Sequence, residues 1–355
     1  MSDNTSSKLW SFFDTIKDEK TLIETQGIME SKQKEVLIID GYNTYLRAFC
    51  VIPTLNEDGL HVGGISGFFK SIGYAIKLFR PDKCVIVFDG VGGSVKRRKI
   101  YSEYKNKRRT KIRLNRIYDE DISLGSEEVS LKKQLERIVR YLQYLPVYVL
   151  SINGIEADDT IAYLALDYYK DYKTTIMSSD KDFIQLVNDN IRVWSPTKKK
   201  IYIFQDVLNE YGLIPINFVY FKCLMGDVSD NIAGVRGCGP KTIIKALPLL
   251  STGPTNLNQI KEYCQKNKGG LKVYSTILDN WDIVERNYSL IQLTDTYVNT
   301  ISQLSIKELL DKNPSKFDSF ALSKLILNDK LWNSFPNFRN WADDVFGRMD
   351  KILRG

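Results

Sequence analysis

Short apolar runs that end at acidic residues recur along the first two hundred residues of the chain. Residues 36–39 lead into Asp40-Gly41, residues 84–88 into Asp89-Gly90, and residues 174–178 into the sequence SDKD at 179–182. Continuous apolar runs of this length are typical of buried parallel strands. Because parallel strands end at the same edge of a sheet, we expect these acids to meet at one rim.

Helical patterns separate the predicted strands. Residues 65–79 carry apolar side chains at helical spacing, and Arg80-Pro81 ends the pattern. Residues 127–144 show the same periodicity and stop before Pro146, and residues 147–152 predict a further strand. This alternation predicts the α/β class, with a parallel-rich central sheet flanked by helices.

A fourth acidic group opens the helix predicted after the strand at 147–152. Glu156, Asp158 and Asp159 lie in its first turn, where Glu156 and Asp159 share a face. A single acid at a strand end or a helix N-terminus is commonly no more than a cap. Several such groups at one rim would repel each other, and divalent cations would offset that repulsion.

The stretch 222–242, KCLMGDVSDNIAGVRGCGPKT, combines two kinds of chemistry. Asp227 and Asp230 lie three residues apart in a predicted turn and offer oxygen ligands to a hard cation. The residues that follow suit a phosphate, because glycines allow close approach of the backbone and a helix N-terminus presents unpaired N–H groups. They are Gly234, Gly237, Gly239, Lys241 and Thr242. Each half alone is commonly a solvated turn, but together they suggest an enzyme that cuts a phosphodiester.

Composition narrows the mechanism. The chain has 355 residues, a formal net charge of +7 and one histidine, His61. A single histidine excludes a paired-histidine nuclease and an HExxH zinc site, so catalysis would use carboxylates, lysines and metal. The five cysteines form no CxxC pair. With no signal peptide and no long apolar run, we expect a soluble protein of the cytoplasm with no membrane partner.

The acidic motifs together resemble a known family. IIDGYN, VFDG, GIEADD, SSDKDFIQL and MGDVSDN are similar, in this order, to the motifs of the 5′-nuclease family, which includes flap endonucleases, the 5′-nuclease domain of bacterial DNA polymerase I and bacteriophage ribonuclease H. The resemblance covers about residues 36–247. SSDKDFIQL followed by WSPTKKK resembles the phage members, and GVRGCGPKT resembles the flap endonucleases with a complete helix-hairpin-helix.

The resemblance implies ligands and cofactors. The implied metal ligands, direct or through water, are Asp40, Asp89, Glu156, Asp158, Asp159, Asp180, Asp182, Asp227 and Asp230. It also implies two Mg²⁺ ions, with Mn²⁺ as a substitute, and a monovalent cation at the helix-hairpin-helix. Asp40, Asp89 and Asp180 are the carboxylates expected to take part in catalysis.

The segment 96–116 is strongly basic, with Glu103 as its only acid. Such a segment is often a solvated loop, but it also suits a DNA backbone, with Tyr101 and Tyr104 placed for base stacking. In the family this position, about residues 92–126, is the helical arch around the 5′ single strand. The resemblance implies catalytic roles for Lys105 and Arg108. It implies DNA contacts for Tyr104, Lys105, Arg108, Arg109, Lys222 and Lys241.

These patterns predict four regions. They are a leader (1–33), the nuclease core (34–215), a helix-hairpin-helix region (216–300) and a helical C-terminal region (301–355). In the leader, Leu9, Phe12 and Phe13 resemble the peptides with which replication enzymes bind a sliding clamp, although Ser6 replaces the usual glutamine. Docking of these side chains on the protein's own body is the alternative.

The expected function is that of a structure-specific 5′-3′ exonuclease and flap endonuclease that removes RNA primers and 5′ flaps. The expected partners are nicked or branched duplex DNA with a 5′ flap, RNA–DNA hybrids, a sliding clamp and a single-stranded DNA-binding protein. We expect a monomer. A PIN-like ribonuclease, which lacks the glycine hairpin, and a junction-binding protein without catalysis are the alternatives.

Overall fold

The computed structural model of the protein describes residues 33–106 and 124–355. Its centre is a six-stranded sheet in the order β3-β2-β1-β4-β5-β6. The strands are β1 (Glu35–Asp40), β2 (Lys83–Phe88), β3 (Tyr148–Ser151), β4 (Lys173–Met177), β5 (Ile191–Ser195) and β6 (Lys200–Tyr202). The first five run parallel, and β6 pairs antiparallel with β5. The α/β prediction with a parallel-rich sheet is confirmed.

Helices cover both faces of the sheet and extend beyond it. The first six are α1 (Gly41–Val51), α2 (Gly63–Phe79), α3 (Val95–Ile100), α4 (Leu124–Leu142), α5 (Ala157–Tyr163) and α6 (Phe204–Tyr211). Next come α7 (Phe218–Met225), α8 (Pro240–Ala246), α9 (Leu249–Thr252), α10 (Leu257–Lys266), α11 (Lys272–Asp279) and α12 (Trp281–Ile291). The last are α13 (Thr300–Asp311), α14 (Ser319–Asn328), α15 (Phe338–Ala342) and α16 (Arg348–Arg354). A short ribbon, β7 (Gly226–Asp227) with β8 (Ile232–Ala233), follows α7.

Two hydrophobic cores lie on opposite sides of the sheet because strand side chains alternate in direction. In β1, Val36 and Ile38 join the core formed with α5, α7 and the helices that follow. Leu37 and Ile39 join the other core, which α1, α2, α4 and the C-terminal helices complete. The strands are therefore apolar on both faces, which explains the continuous apolar runs in the sequence.

The predicted elements and the observed ones differ mainly at their ends. The helix predicted at 127–144 spans Leu124–Leu142. A helix predicted across 271–288 is divided into α11 and α12 at Asn280, which takes a non-helical conformation between them. No helix in the described part of the chain is long and apolar enough to span a membrane.

The C-terminal helices pack on the sheet side that carries α2. A Cβ atom at Gly73 in α2 would lie 2.6 Å from the indole ring of Trp341, so this glycine lets α15 approach. Asp329 accepts hydrogen bonds from the side chains of Arg137 and Tyr141, which come from α4. The region after residue 300 thus takes part in the packing on this side of the sheet.

Candidate active site at the carboxyl edge of the sheet

Asp40 lies at the end of β1, at the centre of the sheet. Its Oδ1 accepts the backbone N–H of Asn43 at 3.0 Å, which caps α1, and its Oδ2 accepts the Ser178 hydroxyl at 2.9 Å. Ser178 follows β4, the neighbour of β1. The Asp40 carboxylate is buried and held in place by two elements.

Asp89 follows β2 and connects it to the next acidic group. Its Oδ1 accepts the backbone N–H of Ala157, the first residue of α5, at 2.8 Å. The chain passes close to the neighbouring loop here, because a Cβ atom at Gly90 would lie 1.7 Å from the carbonyl oxygen of Ile152. Asp89 is thereby fixed at the N-terminus of the helix that carries Glu156, Asp158 and Asp159.

Glu156 is surrounded by donors from the base of the basic segment. Arg97 Nη1 lies 2.6 Å from Glu156 Oε2, the Tyr104 hydroxyl donates to the same oxygen at 3.1 Å, and Lys105 Nζ lies 2.6 Å from Oε1. Burial opposes ionisation of Glu156, but Lys105 and Arg97 outweigh it and hold its pKa below the usual value. Glu156 is therefore a charged carboxylate in a buried place.

Asp180 and Asp182 follow β4. Asp180 accepts the backbone N–H of Asp182 and so caps the 3₁₀ turn Lys181–Leu186. Asp182 Oδ1 lies 2.8 Å from Lys222 Nζ, and the same ammonium contacts Asp227 Oδ2. Lys222 therefore joins an acid of the sheet edge to an acid of the β7–β8 ribbon.

The carboxylates of this edge are crowded. Burial, together with the charges of Asp180 and Asp89, raises the pKa of Asp40 to about 7. Burial and the charge of Asp180 likewise raise the pKa of Asp182 to about 7, and that of Asp158 is raised well above its ordinary value. Negative charge at this edge thus exceeds what the protein's own cations balance.

The donor set fits a hard divalent cation, because every group is a carboxylate oxygen. Within residues 33–106 and 124–355, however, no three acidic side chains already enclose a single ion position. The cationic groups of Arg97, Lys105 and Lys222 contact several of the oxygens that the prediction assigns to metal. Binding of an ion to those oxygens would require these contacts to rearrange.

The structure brings most of the predicted acids together, and two of them also contact the base of the basic segment. Asp159 directs both carboxylate oxygens to Arg97, at 2.6 and 3.0 Å, so in this conformation it is a partner of an arginine and not a free ligand. The main-chain oxygen of Asp230 accepts the N–H of Lys105 at 2.9 Å. These contacts tie the acidic edge to the base of the basic segment.

Two predicted DNA contacts are corrected by burial. The Tyr104 ring is 2% exposed and its hydroxyl faces Glu156, so it cannot stack on a base in this conformation. Lys222 is 5% exposed, and in this conformation its ammonium lies between the carboxylates of Asp182 and Asp227. Arg108 and Arg109 lie outside the described residues.

Arg97 is the residue that the sequence prediction missed. It is 2% exposed and donates to Glu156, Asp159 and the carbonyl oxygen of Leu290 in α12. Its position within a run of basic residues gave no indication that its side chain would be buried. The acids that Arg97 binds lie 59 and 62 residues away in the sequence, so no local pattern indicated this role.

The glycine-rich loop leads from the acidic edge to α8. Gly237 has a φ of +84°, and Gly239 precedes the first turn of α8, where Lys241 is exposed and Thr242 is half-buried. A Cβ atom at Gly234 would lie 2.2 Å from the carbonyl oxygen of Met225, so this glycine serves packing against the chain itself. The open backbone is at Gly237 and Gly239.

A buried asparagine fixes this loop to the body. Asn287 of α12 donates from Nδ2 to the carbonyl oxygens of Cys223 and Ala233, both at 2.8 Å. The acidic edge, the glycine loop and α12 therefore form one connected framework, which Arg97 also joins through Leu290.

Comparison with known proteins identifies the family. The model of the 5′-3′ exonuclease N-terminal resolvase-like domain matches residues 35–212. A 5′-3′ exonuclease of Aquifex aeolicus (strain VF5) is 31% identical over 295 residues, which cover 79% of this chain and 88% of the relative. The chain belongs to the 5′-3′ exonuclease family.

Further relatives of this 5′-3′ exonuclease agree with that assignment. DNA polymerase I of Bacillus caldotenax is 33% identical over 238 residues, 65% of this chain and 25% of the polymerase. A bacteriophage T5 flap endonuclease, solved with DNA and metal ions, has a similar fold with a TM-score of 0.61 at 21% identity, covering 84% of this chain and 99% of its own. Membership of the 5′-3′ exonuclease family makes the chain a nuclease that hydrolyses phosphodiester bonds.

Proposed function

We propose that this 5′-3′ exonuclease depends on divalent metal, recognises the junction between duplex and 5′ single strand, and removes RNA primers and 5′ flaps during DNA replication. The observation that carries the proposal is the excess of buried carboxylates at one sheet edge, beside a loop with open backbone at Gly237 and Gly239. The first suits metal-assisted hydrolysis and the second suits a phosphate of the duplex. The T5 flap endonuclease of similar fold was solved with DNA and metal ions.

The residues that would hold metal are the acids of the edge. Around the end of β1 these are Asp40, Asp89, Asp158 and Asp180. Toward the ribbon they are Asp182, Asp227 and Asp230. Two divalent ions, Mg²⁺ with Mn²⁺ as a substitute, would supply an activated water and stabilise the leaving oxygen when bound. Glu156 holds Lys105 at the edge, where its ammonium can balance charge on a phosphate.

We assign binding of the duplex to the glycine loop and α8. The exposed Lys241 and the backbone N–H groups after Gly237 would contact phosphates, and a monovalent cation would bind at the same loop. Arg108 and Arg109, which lie outside the described residues, are proposed to contact the 5′ strand.

Other parts of the proposal concern partners. A sliding clamp would bind through Leu9, Phe12 and Phe13, which also lie outside the described residues. The proposal also includes a single-stranded DNA-binding protein as a partner, a monomeric state and a cytoplasmic location.

The test is a cleavage assay with three labelled substrates: a 5′ flap, a nicked duplex and an RNA–DNA hybrid. We expect cleavage of each in Mg²⁺ and Mn²⁺ and none in EDTA. Cleavage in EDTA would contradict metal dependence, and binding without cleavage in either metal would favour the junction-binding alternative.

A further inference from the structure

Lys222 holds a position that its predicted role does not explain. It lies near the end of α7, 5% exposed, with its ammonium between Asp182 and Asp227. The Asp182 carboxylate comes from the sheet edge and the Asp227 carboxylate from the β7–β8 ribbon. Lys222 therefore bridges two separate elements of the site through charged hydrogen bonds.

Both partners of Lys222 belong to the acids assigned to metal. A divalent cation binds a carboxylate oxygen at about 2.0–2.6 Å. An ammonium 2.8 Å from Asp182 Oδ1 opposes the binding of a second cation to the same carboxylates, because the two positive charges repel each other. The ammonium and the ion therefore compete for one pair of acids.

The other half of the edge differs from this pair. Asp40 is bonded to a backbone N–H and to the Ser178 hydroxyl, which are neutral donors. Asp180 also accepts a backbone N–H. An ion that binds Asp40 and Asp180 would thus displace no direct ammonium contact of these two side chains, whereas an ion at Asp182 and Asp227 would displace Lys222.

We propose that Lys222 is an internal counter-ion of the Asp182–Asp227 pair, which keeps the two acids assembled without metal and weakens the binding of a divalent cation to them. This inference rests on the proposed metal dependence. It makes the two halves of the edge unequal, so the first ion binds at the Asp40–Asp180 half and the second binds more weakly at the Asp182–Asp227 half.

The test measures Mn²⁺ binding without DNA, by electron paramagnetic resonance of the free ion at one fixed alkaline pH. The variant is Lys222→Met, which keeps the length of the side chain and removes its charge. We expect the second ion to bind at least about tenfold more tightly than in the wild type, while the first changes by less than about twofold. Lys307→Met, which removes an equal charge from an exposed ion pair on α13, is the control and is expected to change neither.

Stability provides a second readout, in which the response to Mn²⁺ separates a counter-ion from a purely structural ion pair. In EDTA, Lys222→Met leaves Asp182 and Asp227 to repel each other, so we expect a lower unfolding temperature than in the wild type. Mn²⁺ should raise the unfolding temperature of the variant more than that of the wild type. Lys222→Met alone can fail to fold. The double variant Lys222→Met/Asp182→Asn has the same summed charge at residues 182, 222 and 227 as the wild type. We expect it to bind the second ion no more tightly than the wild type.

The outcomes separate the inference from the proposed function. If Lys222→Met binds both ions with the affinities of the wild type, the counter-ion role is overturned and metal dependence stays intact. Tighter binding of the second ion by the double variant would have the same consequence. Failure of the wild type to bind Mn²⁺ would instead overturn the proposed metal dependence.

Discussion

Lys105 Nζ lies 2.6 Å from Glu156 Oε1, so a lysine of the basic segment pairs with an acid of the sheet edge. The backbone of Lys105 has a φ of +56°, in the left-handed region, and its N–H donates to the carbonyl oxygen of Asp230. A non-glycine residue in this conformation stores strain that its neighbours must hold. The base of the predicted arch is therefore positioned by the active-site edge itself.

Asp180→Asn should separate chemistry from binding. The substitution keeps the shape of the side chain but removes a charge from the acidic edge, so we expect cleavage in Mg²⁺ to fall by roughly a thousandfold or more. Binding to a flap substrate in Ca²⁺, measured by fluorescence anisotropy, should change little. Turnover near that of the wild type would show that this edge is not the reaction centre.

Lys241→Ala and Lys105→Ala should affect different steps. Lys241 is exposed at the first turn of α8, so its loss should weaken duplex binding and lower the slope of log K against log salt by about 1. Lys105 contacts Glu156, so its loss should chiefly slow single-turnover cleavage. An unchanged salt slope for Lys241→Ala would remove the phosphate contact from the glycine loop.

Arg97→Lys should destabilise the fold. A lysine cannot reproduce the two bonds to Asp159 together with those to Glu156 and Leu290, and a broken buried ion pair typically costs about 3–5 kcal/mol. Urea unfolding measures this loss. The neighbouring Arg98 is exposed, so Arg98→Lys is the matched control and should change stability by less than about 0.5 kcal/mol. Equal effects of the two substitutions would contradict the role of Arg97.

Stability without metal should depend on pH in a specific direction. The pKa values of Asp40 and Asp182 are raised from 3.8 to about 7 in the folded protein, chiefly by burial, so the folded state binds these protons more tightly than the unfolded state. Stability in EDTA should therefore fall as pH rises from about 4 to about 7. Thermal unfolding across this range checks the sign, and Asp40→Asn should reduce the slope. A rising unfolding temperature would contradict the crowding of these carboxylates.

Deletion of residues 1–20 tests the leader. We expect activity on short oligonucleotides to remain and stimulation by the cognate clamp to disappear, because tethering raises local concentration without changing the active site. A lower unfolding temperature together with loss of activity on every substrate would show that the leader packs on the protein's own body.

The sequence predicted the strands and the acidic edge because both depend on local patterns. Asp40, Asp89 and Asp180 each follow an apolar run, and parallel pairing of β1, β2 and β4 is enough to gather them. The partners of these acids could not be predicted in the same way. Arg97 and Lys222 reach their carboxylates across 59 and 40 residues of sequence, respectively, and only the fold shows which cation meets which acid.

Burial was the second quantity that sequence could not supply. Tyr104 in a basic segment has the composition of a stacking residue, but the chain turns after α3 and places its ring in the core. The same turn brings Lys105 to the edge. Tyr104 and Lys105 are neighbours that were both predicted to contact DNA, but they differ in role because the Tyr104 side chain faces inward.

Asn287 connects two parts of the site in this nuclease. Its side chain holds the carbonyl oxygens of Cys223 and Ala233, and Leu290 of the same helix accepts the bond from Arg97. Under the proposed function, these bonds connect the loop that would hold the duplex to the acidic edge that would cut the strand. A fixed distance between the two would place the cut at a constant number of nucleotides from the junction, whatever the length of the flap.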